Sequence, residues 1–399
     1  MKVFERSTPK NNRNNRNQMT HPIWTVALIA NVKDEFTPNP DDHPEAGAEF
    51  DRWETIQNLT NAIQSDGHSV VFLQADKNLP KSIINLKPDI VFNIAEGISG
   101  DSREAQVPAL CELLGIPYTA SRILPNAISL DKTMTKRIWR DNGLPTAPFQ
   151  EFARIEDVHT LSLNFPLFVK PAREGTGMGI DDNSLVHNIE ELEARVEWVL
   201  KTYRQPALVE EFLPGREFTV GFFGNPGTPA NRRHPDLYDQ DGYHWFPILE
   251  IGLANSVSPT VYGHDAKSID IGDTGAPDYL CPADIPDPLA QELIALTRRA
   301  AEALNVCDIS RIDYRMGADG KPYLLEINTL PGLNPAISDI CIMADAENLP
   351  YSTLITEILY LAAERFRLPF NVFKWDMARR LVKPVSVKIL RNNPTAFNQ

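Results

Sequence analysis

The chain has 399 residues, of which 42% are hydrophobic and 23% charged, so it is long enough for two or three domains with apolar cores. Its formal net charge of −14 at pH 7 argues against general nucleic-acid binding, because a polyphosphate backbone would be repelled. No apolar run approaches the roughly 20 residues that span a bilayer, and the N-terminus lacks the apolar core of a signal peptide, so we expect a cytoplasmic protein without a membrane span. The four cysteines form no C-x-x-C pair, so we expect neither a disulfide framework nor a zinc site.

Strands and helices alternate in the first third of the chain. Residues 1–20 are rich in Asn and Arg and lack apolar periodicity, so we expect a disordered extension there. An apolar strand over residues 23–32, an amphipathic helix over residues 46–65, strands in SVVFLQA and PDIVFNIAEG, and a helix in SREAQVPALCELLG follow. This alternation predicts a parallel α/β layer, whose ligands would sit at the carboxyl ends of the strands.

Two further regions follow the sequence IPYTAS. The segment LPNAISLDKTMTKRIWRDNGLP predicts one helix that stops at Asn142-Gly143. Strand PLFVKPA then leads into the Gly-rich loop REGTGMGI, a helix over residues 189–204, and strands in ALVEEFL and PGREFTVGFF. The third region has a helix near residues 288–304, a hairpin in RIDYRMGADGKPYLLEIN and a last helix around residues 352–364.

Two segments leave alternatives open. The loop over residues 225–247 is long and punctuated by Pro and Gly, so it is either a lid or an insertion. The tail from Pro369 carries six Lys and Arg residues against the single acid Asp376, so it either docks on the body or faces solvent. A membrane or partner role for this tail is the less favoured interpretation.

The hairpin collects polar side chains on one face. Its turn, in the sequence GADGK, places Asp313 nearly opposite Glu326. Because side chains alternate along a strand, Arg311 shares a face with Asp313, and Asn328 shares one with Glu326. The two carboxylates and the carboxamide are suitable ligands for one or two Mg²⁺ ions that carry substrate phosphates. The guanidinium could neutralise negative charge that develops during phosphate transfer. The alternative is a surface salt bridge between Arg311 and Asp313, but the dry Leu and Ile side of the second strand favours the functional interpretation.

The Gly-rich loop forms a second candidate site. Lys170 ends the preceding strand, and the bare amides of the loop are suited to wrapping a phosphate. The loop is neither GxxxxGK[ST] nor a dinucleotide fingerprint, because no helix begins directly after the glycines, so a nicotinamide dehydrogenase is the weaker alternative. Considered alone, Lys132 is typical of a solvated helix surface, and Glu210 and Glu217 are typical of exposed strand ends. Considered together with the loop, the two glutamates could accept hydrogen bonds from an adenine amino group and ribose hydroxyls.

Five motifs in this order resemble the ATP-grasp superfamily, and within it the D-alanine–D-alanine ligases. They are GLPTAPF, VKPAREGTGMGI, VEEFLPGREFTVG, RIDYR and YLLEINTLPGL, and the likeness runs over residues 89–368. The resemblance implies an α/β N-terminal domain followed by a two-subdomain α+β ATP-grasp fold. The implied divisions are a disordered extension at 1–20, a pre-ATP-grasp domain at 21–122, a central ATP-grasp subdomain at 123–208, a C-terminal ATP-grasp subdomain with metal site and lid at 209–368, and a basic extension at 369–399.

The resemblance also implies a role for each motif residue. The implied ATP-binding residues are Lys132 and Lys170 at the phosphates, Glu210, the Leu213 backbone and Glu217 at adenosine, and Gly175, Thr176, Gly177 and Lys267 in the loop and lid. The implied ligands for two Mg²⁺ or Mn²⁺ ions are Asp313, Glu326 and Asn328. The implied catalytic groups are Thr176, which closes over the γ-phosphate, and Arg311 with the Gly332 amide, which stabilise an oxyanion.

The reaction implied by the resemblance forms an amide or peptide bond. A carboxylate attacks the γ-phosphate of ATP to give an acyl phosphate and ADP, and an amine then displaces phosphate through a tetrahedral intermediate. Phosphorylation is needed because a carboxylate is a poor electrophile, and cations offset the charge crowding. The implied partners are therefore a small-molecule carboxylate and an amine, with no nucleic acid, and with a homodimer left open.

The likeness fails on the substrate side. The family's GG-x-S-x-E motif, whose glutamate holds the first D-alanine's ammonium, is absent, and the comparable strand ends in ANVKDEF. The family's lid carries Lys-Tyr where this chain has Lys267 followed by Ser268, and a family serine aligns with Ile337, beside Ser338. These losses predict an ATP-dependent carboxylate–amine ligase with a different acceptor or donor. A divergent D-alanine–D-alanine ligase and an ATP-binding module without ligase chemistry are the alternatives.

Overall fold

The structure is a computed structural model that describes residues 23–40, 42–258, 260–267, 269, 273–370 and 387–389. Three sheets make up its framework. The extension predicted at residues 1–20, and most of the basic tail, lie outside the described ranges. Within those ranges, no helix is both long enough and apolar enough to cross a membrane.

A three-stranded parallel sheet forms the N-terminal layer, in the strand order β2-β1-β3. Its elements are β1 (Thr25–Ala30), α1 (Trp53–Ser65), β2 (Ser69–Gln74), α2 (Leu79–Leu86), β3 (Ile90–Asn93) and α3 (Gln106–Leu114). Strand β1 reads TVALIA and is almost entirely buried, as expected for a parallel strand covered on both faces. This sheet is the parallel α/β layer that the sequence predicted.

The helix predicted over residues 46–65 is shorter than expected. It begins only at Trp53, because the preceding residues form turns that include Gly47 at φ +79° and end where Asp51 bridges Val32. This irregular segment, residues 42–50, therefore lies beside the end of β1 as a loop. Helix α2 was not predicted, since its sequence LPKSIINL has only eight residues, too few to distinguish a helix from a buried strand.

The prediction of a single helix after IPYTAS is wrong. Two helices, α4 (Ile123–Leu130) and α5 (Lys132–Asp141), meet at Asp131, whose backbone is extended. The carboxylate of Asp131 accepts a hydrogen bond of 2.9 Å from the Met134 amide and so caps α5. The break places Lys132 at the first turn of α5, where its amide donates to the Ala172 carbonyl at 2.9 Å.

A four-stranded antiparallel sheet forms the central layer, in the order β4-β7-β5-β6. Its elements are β4 (Phe149–Phe152), β5 (Leu167–Pro171), β6 (Leu185–Val186), α6 (Ile189–Thr202) and β7 (Ala207–Glu211). Helix α6 buries Leu192 and Val196 against the apolar face of this sheet. Burial of such side chains stabilises the layer by about 1.5–3 kcal/mol each.

The largest sheet has the strand order β13-β12-β8-β10-β11-β14, with β9 also paired to β8. Its strands are β8 (Glu217–Gly224), β9 (Tyr243–Trp245), β10 (Leu249–Gly252), β11 (Asp278–Cys281), β12 (Asp308–Met316), β13 (Pro322–Asn328) and β14 (Val387–Ile389). The accompanying helices are α7 (His264–Lys267), α8 (Asp287–Leu304), α9 (Asp339–Ala346) and α10 (Tyr351–Arg365). Helix α10 shares one apolar cluster with β1, so the last helix joins the largest sheet to the N-terminal layer.

The loop over residues 225–247, for which the sequence left a lid or an insertion open, contacts α10 and the end of α9. His234 and Tyr238 both approach the Glu357 carboxylate of α10 at 2.5 Å. His244, on β9, lies 2.6 Å from the Glu347 carboxylate, which follows α9. These contacts hold the loop against the C-terminal helices.

Candidate active site

Two adjoining cavities lie beside the central and largest sheets, and the predicted site residues all line one or both of them. The first cavity is lined by Lys132, Lys170, Gly177, Glu210, Leu213, Glu217, Lys267, Asp313 and Glu326. The second cavity is lined by Lys132, Gly175, Thr176, Arg311, Glu326, Asn328 and Gly332. The second cavity is also bordered by Glu49, Glu96 and Glu104 of the N-terminal layer. The cavities share Lys132, Glu174 and Glu326, so they meet at the carboxyl end of the hairpin.

The hairpin pairs the residues that the sequence analysis placed nearly opposite each other. Asp313 on β12 pairs with Glu326 on β13, and Arg311 pairs with Asn328. Tyr314 pairs with Leu324, so an irregularity just after Asp313 shifts the register by one residue and brings Glu326 opposite Asp313. The Thr219 hydroxyl donates to the Asp313 carboxylate at 2.9 Å, and Arg311 donates to the same carboxylate at 2.5 Å. The salt bridge weighed in the sequence analysis therefore exists, but it involves a buried aspartate and not a surface one.

The two acids of the hairpin differ in their electrostatic surroundings. Burial raises the pKa of Asp313; Arg311 opposes this shift and Glu326 adds to it. Burial would also raise the pKa of Glu326, but Lys132, at 3.3 Å, together with Lys267 and Lys170 holds it well below its usual range. Glu326 is therefore ionised, and it gathers the lysines at the junction of the cavities.

The hairpin supplies hard oxygen donors for a cation. In the described ranges, no group of three or more His, Cys, Asp or Glu side chains is arranged to hold a metal ion. Asp313 and Glu326 provide two carboxylates and Asn328 provides a carboxamide oxygen from one strand face. Mg²⁺ commonly uses one or two carboxylates and completes its shell with phosphate oxygens and water. The donor set thus fits an ion that arrives with a phosphate substrate.

A buried lysine that was not predicted orients Glu210 on β7. The Glu210 oxygens lie 2.6 Å from Lys136 Nζ and 2.7 Å from Lys170 Nζ. Burial would raise the pKa of Glu210, but these two ammonium groups outweigh it and lower the pKa. Lys136 also donates to the Thr146 hydroxyl at 2.8 Å. Its position one turn after Lys132 on the same helix face was the available sequence signal.

The sequence analysis also missed Arg315, which lies beside Glu217, and Tyr262, which lies beside Lys267. Arg315 lies two residues beyond Asp313 on the same strand, and its guanidinium is 3.5 Å from the Glu217 carboxylate. Burial raises the pKa of Glu217 to about 7, although Arg315 and Lys267 lower it. The ammonium of Lys267 lies 4.5 Å from the ring centre of Tyr262. Arg315 was predictable from strand alternation, whereas the Tyr262 contact joins a loop residue to the end of α7.

The Gly-rich loop requires glycine at Gly177. This residue has φ +71°, and a Cβ on it would lie 2.8 Å from the backbone of Gly263 and His264. The His264 amide donates to the Gly177 carbonyl at 3.0 Å. Thr176 is exposed and has φ +50°, an uncommon conformation for a residue with a side chain. The loop is thus held backbone to backbone against the segment that leads to Lys267.

A further cavity touches the second one near Gly332. Ile337 and Ser338 line it together with Arg311, Gly332 and Thr176, among others. The Ser338 hydroxyl accepts a hydrogen bond of 2.9 Å from the amide of Asn334. Ser338 therefore lies near Arg311 and Gly332, but its hydroxyl already supports the turn that follows β13.

Comparison with known proteins identifies the family. A family model described as the D-ala D-ala ligase C-terminus matches residues 138–360. A D-alanine–D-alanine ligase of Aquifex aeolicus is 31% identical over 303 residues, which cover 75% of this chain and 92% of that protein. The chain belongs to the D-alanine–D-alanine ligase family. The predicted enzyme class, an ADP-forming ATP-grasp carbon–nitrogen ligase, is confirmed.

Two further proteins are similar over most of this chain. The uncharacterized protein y4sG of Sinorhizobium fredii is 31% identical over 332 residues, covering 81% of this chain and 92% of the relative. The crystal structure of a D-alanine–D-alanine ligase from Bacillus anthracis matches with a TM-score of 0.63 at 21% identity, covering 86% of this chain and 99% of that one. This likeness shows that the chain has the ATP-grasp fold.

Proposed function

We propose that this ligase joins a carboxylate to an amine other than a pair of D-alanines, and that it uses ATP to form an acyl phosphate. The observation that carries the proposal is the arrangement of Arg311, Asp313, Glu326 and Asn328 on one face of the hairpin, where the two cavities meet. Nucleotide binding alone would not require the Arg311 guanidinium in the second cavity beside Gly332.

ATP would occupy the first cavity. Lys132 and Lys170 contact its phosphates, while Glu210, the Leu213 backbone and Glu217 hold adenosine. Gly175, Thr176 and Gly177 close over the γ-phosphate from the central layer, and Lys267 approaches from the other side. Lys136 supports this arrangement because it fixes the Glu210 carboxylate from behind. The lysines offset the negative charge of the nucleotide in a site from which water is excluded.

Asp313, Glu326 and Asn328 would hold Mg²⁺ or Mn²⁺, and we propose two ions. Bound there, the ions would neutralise phosphate charge and orient the γ-phosphate for in-line attack. The chain's own contribution is to keep Glu326 ionised through the surrounding lysines and to orient Asp313 through Thr219. This is the ligand set that the sequence analysis expected.

The carboxylate and amine would react in the second cavity. The carboxylate oxygen attacks the γ-phosphorus, the bond to the ADP oxygen breaks, and an acyl phosphate forms. The amine then attacks the acyl carbon, and the resulting oxyanion is stabilised by the Arg311 guanidinium and the Gly332 amide. The tetrahedral intermediate expels phosphate, which takes up a proton from the amine nitrogen, and an amide remains. Closure of the Gly-rich loop would protect the acyl phosphate from water.

The substrate assignment rests on the three substrate-side differences found in the sequence. The strand end ANVKDEF replaces the motif that anchors the first D-alanine, Ile337 replaces a serine, and the residue after Lys267 is not tyrosine. The similarity to several D-alanine–D-alanine ligases favours the second candidate, a divergent D-alanine–D-alanine ligase. The divisions at 21–122, 123–208 and 209–368, the cytoplasmic location and a homodimer belong to the same proposal.

The test is phosphate release from Mg-ATP with L- and D-amino acids, supplied singly and in pairs, followed by mass spectrometry. A new amide other than D-alanyl-D-alanine supports the proposal, and D-alanyl-D-alanine as the sole product supports the second candidate. Arg311→Gln should abolish product formation. The matched control is Arg137→Gln, because Arg137 is half exposed and only approaches Glu151 at 3.8 Å.

A further inference from the structure

Arg103 joins the N-terminal layer to the Gly-rich loop. It lies in a short helical turn over Arg103–Ala105, after β3. Its guanidinium donates to the Glu49 carboxylate at 2.8 Å, to the Glu174 carboxylate at 3.1 Å and to the Arg173 carbonyl at 3.0 Å. Glu49 belongs to the segment 42–50, whereas Arg173 and Glu174 begin the Gly-rich loop. One side chain thus contacts two parts of the chain that are far apart in sequence.

The loop touches the segment 42–50 at two further points. The Glu49 carboxylate approaches Gly175 so closely that a Cβ there would lie 2.0 Å from its Oε1. The Gly179 amide donates to the Glu45 carboxylate at 2.8 Å, and the Tyr203 hydroxyl donates to the same carboxylate. The segment therefore supports both ends of the loop, and glycine at position 175 permits the approach.

The charges make this contact depend on Arg103. The side chains of Glu49 and Glu174 are each 8% exposed, and that of Arg103 is 10% exposed. Burial would lower the pKa of Arg103, but the two carboxylates raise it above its ordinary value. Without the guanidinium, two buried carboxylates would face each other, and removal of one partner from a buried ionic cluster is strongly unfavourable. Loss of the guanidinium would therefore weaken the contact between the loop and the N-terminal layer.

We propose that Arg103 is a positioning residue that fastens the Gly-rich loop to the segment 42–50 and so holds the loop closed over the γ-phosphate of ATP. This inference rests on the proposed function, which places ATP in the first cavity with its γ-phosphate under Thr176. Because Glu49 and Glu174 also line the second cavity, the same contact closes the space proposed for the carboxylate and amine.

The experiment compares the binding of Mg-AMP-PNP, which has a γ-phosphate group, with that of Mg-ADP, which has none, by isothermal titration calorimetry of the full chain. Arg103→Gln should weaken Mg-AMP-PNP binding about tenfold or more and leave Mg-ADP binding nearly unchanged, since charged hydrogen bonds of this kind have that magnitude. Arg103→Lys, which keeps the charge but cannot span three acceptors, should give an intermediate loss.

The matched control is Arg154→Gln, which removes an exposed ion pair with Asp157 and should change neither affinity. If Arg103→Gln does not fold, Glu49→Gln decides the question, because it weakens the contact from the other side and should also affect Mg-AMP-PNP alone. Equal losses for both nucleotides, or no loss for either, would overturn the inference. Failure of the unaltered protein to bind either nucleotide would overturn the proposed function as well.

Discussion

Replacement of Lys136 by methionine tests how the first cavity is built. Methionine keeps much of the length and apolar volume of lysine but removes its charge and its hydrogen bonds. Lys136 is fully buried, and its ammonium bonds to Glu210 at 2.6 Å, to Thr146 at 2.8 Å and to the Leu324 carbonyl at 3.1 Å. It therefore connects α5 with the central and largest sheets.

The expected cost follows from these contacts. Removal of one partner from a buried ion pair costs about 3–5 kcal/mol, because the remaining charge is left without compensation. Lys170 still holds the second oxygen of Glu210 in the variant, so we expect about 3 kcal/mol, at the lower end of that range. The same loss of orientation at Glu210 should weaken Mg-ATP binding.

Urea unfolding, followed by circular dichroism, measures the loss in the free energy of unfolding. The matched control is Lys201→Met, because Lys201 pairs with Glu197 at 2.6 Å while both side chains are more than half exposed. An exposed pair contributes only about 0.2–1 kcal/mol. Equal losses in the two variants would refute the argument that burial gives the Lys136 contact its strength.

Three further predictions concern the hairpin, the loop and the N-terminal layer. Glu326→Ala should reduce ADP formation far more than it weakens Mg-ATP binding, and unchanged turnover would contradict the proposal that Glu326 is a metal ligand. Gly177→Ala should weaken Mg-ATP binding more than Gly143→Ala does, because both residues have positive φ but only the first has backbone 2.8 Å from an added Cβ; equal effects in calorimetry would contradict the steric argument. Burial raises the pKa of Asp51 to about 7, so the folded state keeps a proton that the unfolded chain releases near pH 4, and the free energy of unfolding should fall as the pH rises from about 4 to 7. Asp51→Asn should reduce that slope in urea titrations, and an unchanged slope would show that Asp51 does not cause it.

The hairpin was predictable because side chains alternate along each strand and a turn that contains Gly320 at φ +74° joins β12 to β13. Its final register was not, because regular pairing from Met316 and Pro322 would place Asp313 opposite Leu325, and the irregularity after Asp313 brings Glu326 there instead. The start of α5 was mispredicted because hydrophobic periodicity continues through Asp131, whose side chain caps the next helix. The loop at 225–247 was ambiguous because its Pro and Gly residues mark turns without saying what the loop packs against.

The sequence by itself determined the order of the motifs, the alternation of strands and helices, and the residues that share a face within each strand of the hairpin. These features depend on contacts between residues that are close in sequence or on the regular geometry of strands. Only the tertiary structure showed that Lys136 orients Glu210 and that Arg103 joins Glu49 to Glu174. Such contacts depend on how separate layers pack, and no local pattern of residues encodes which buried charges will meet.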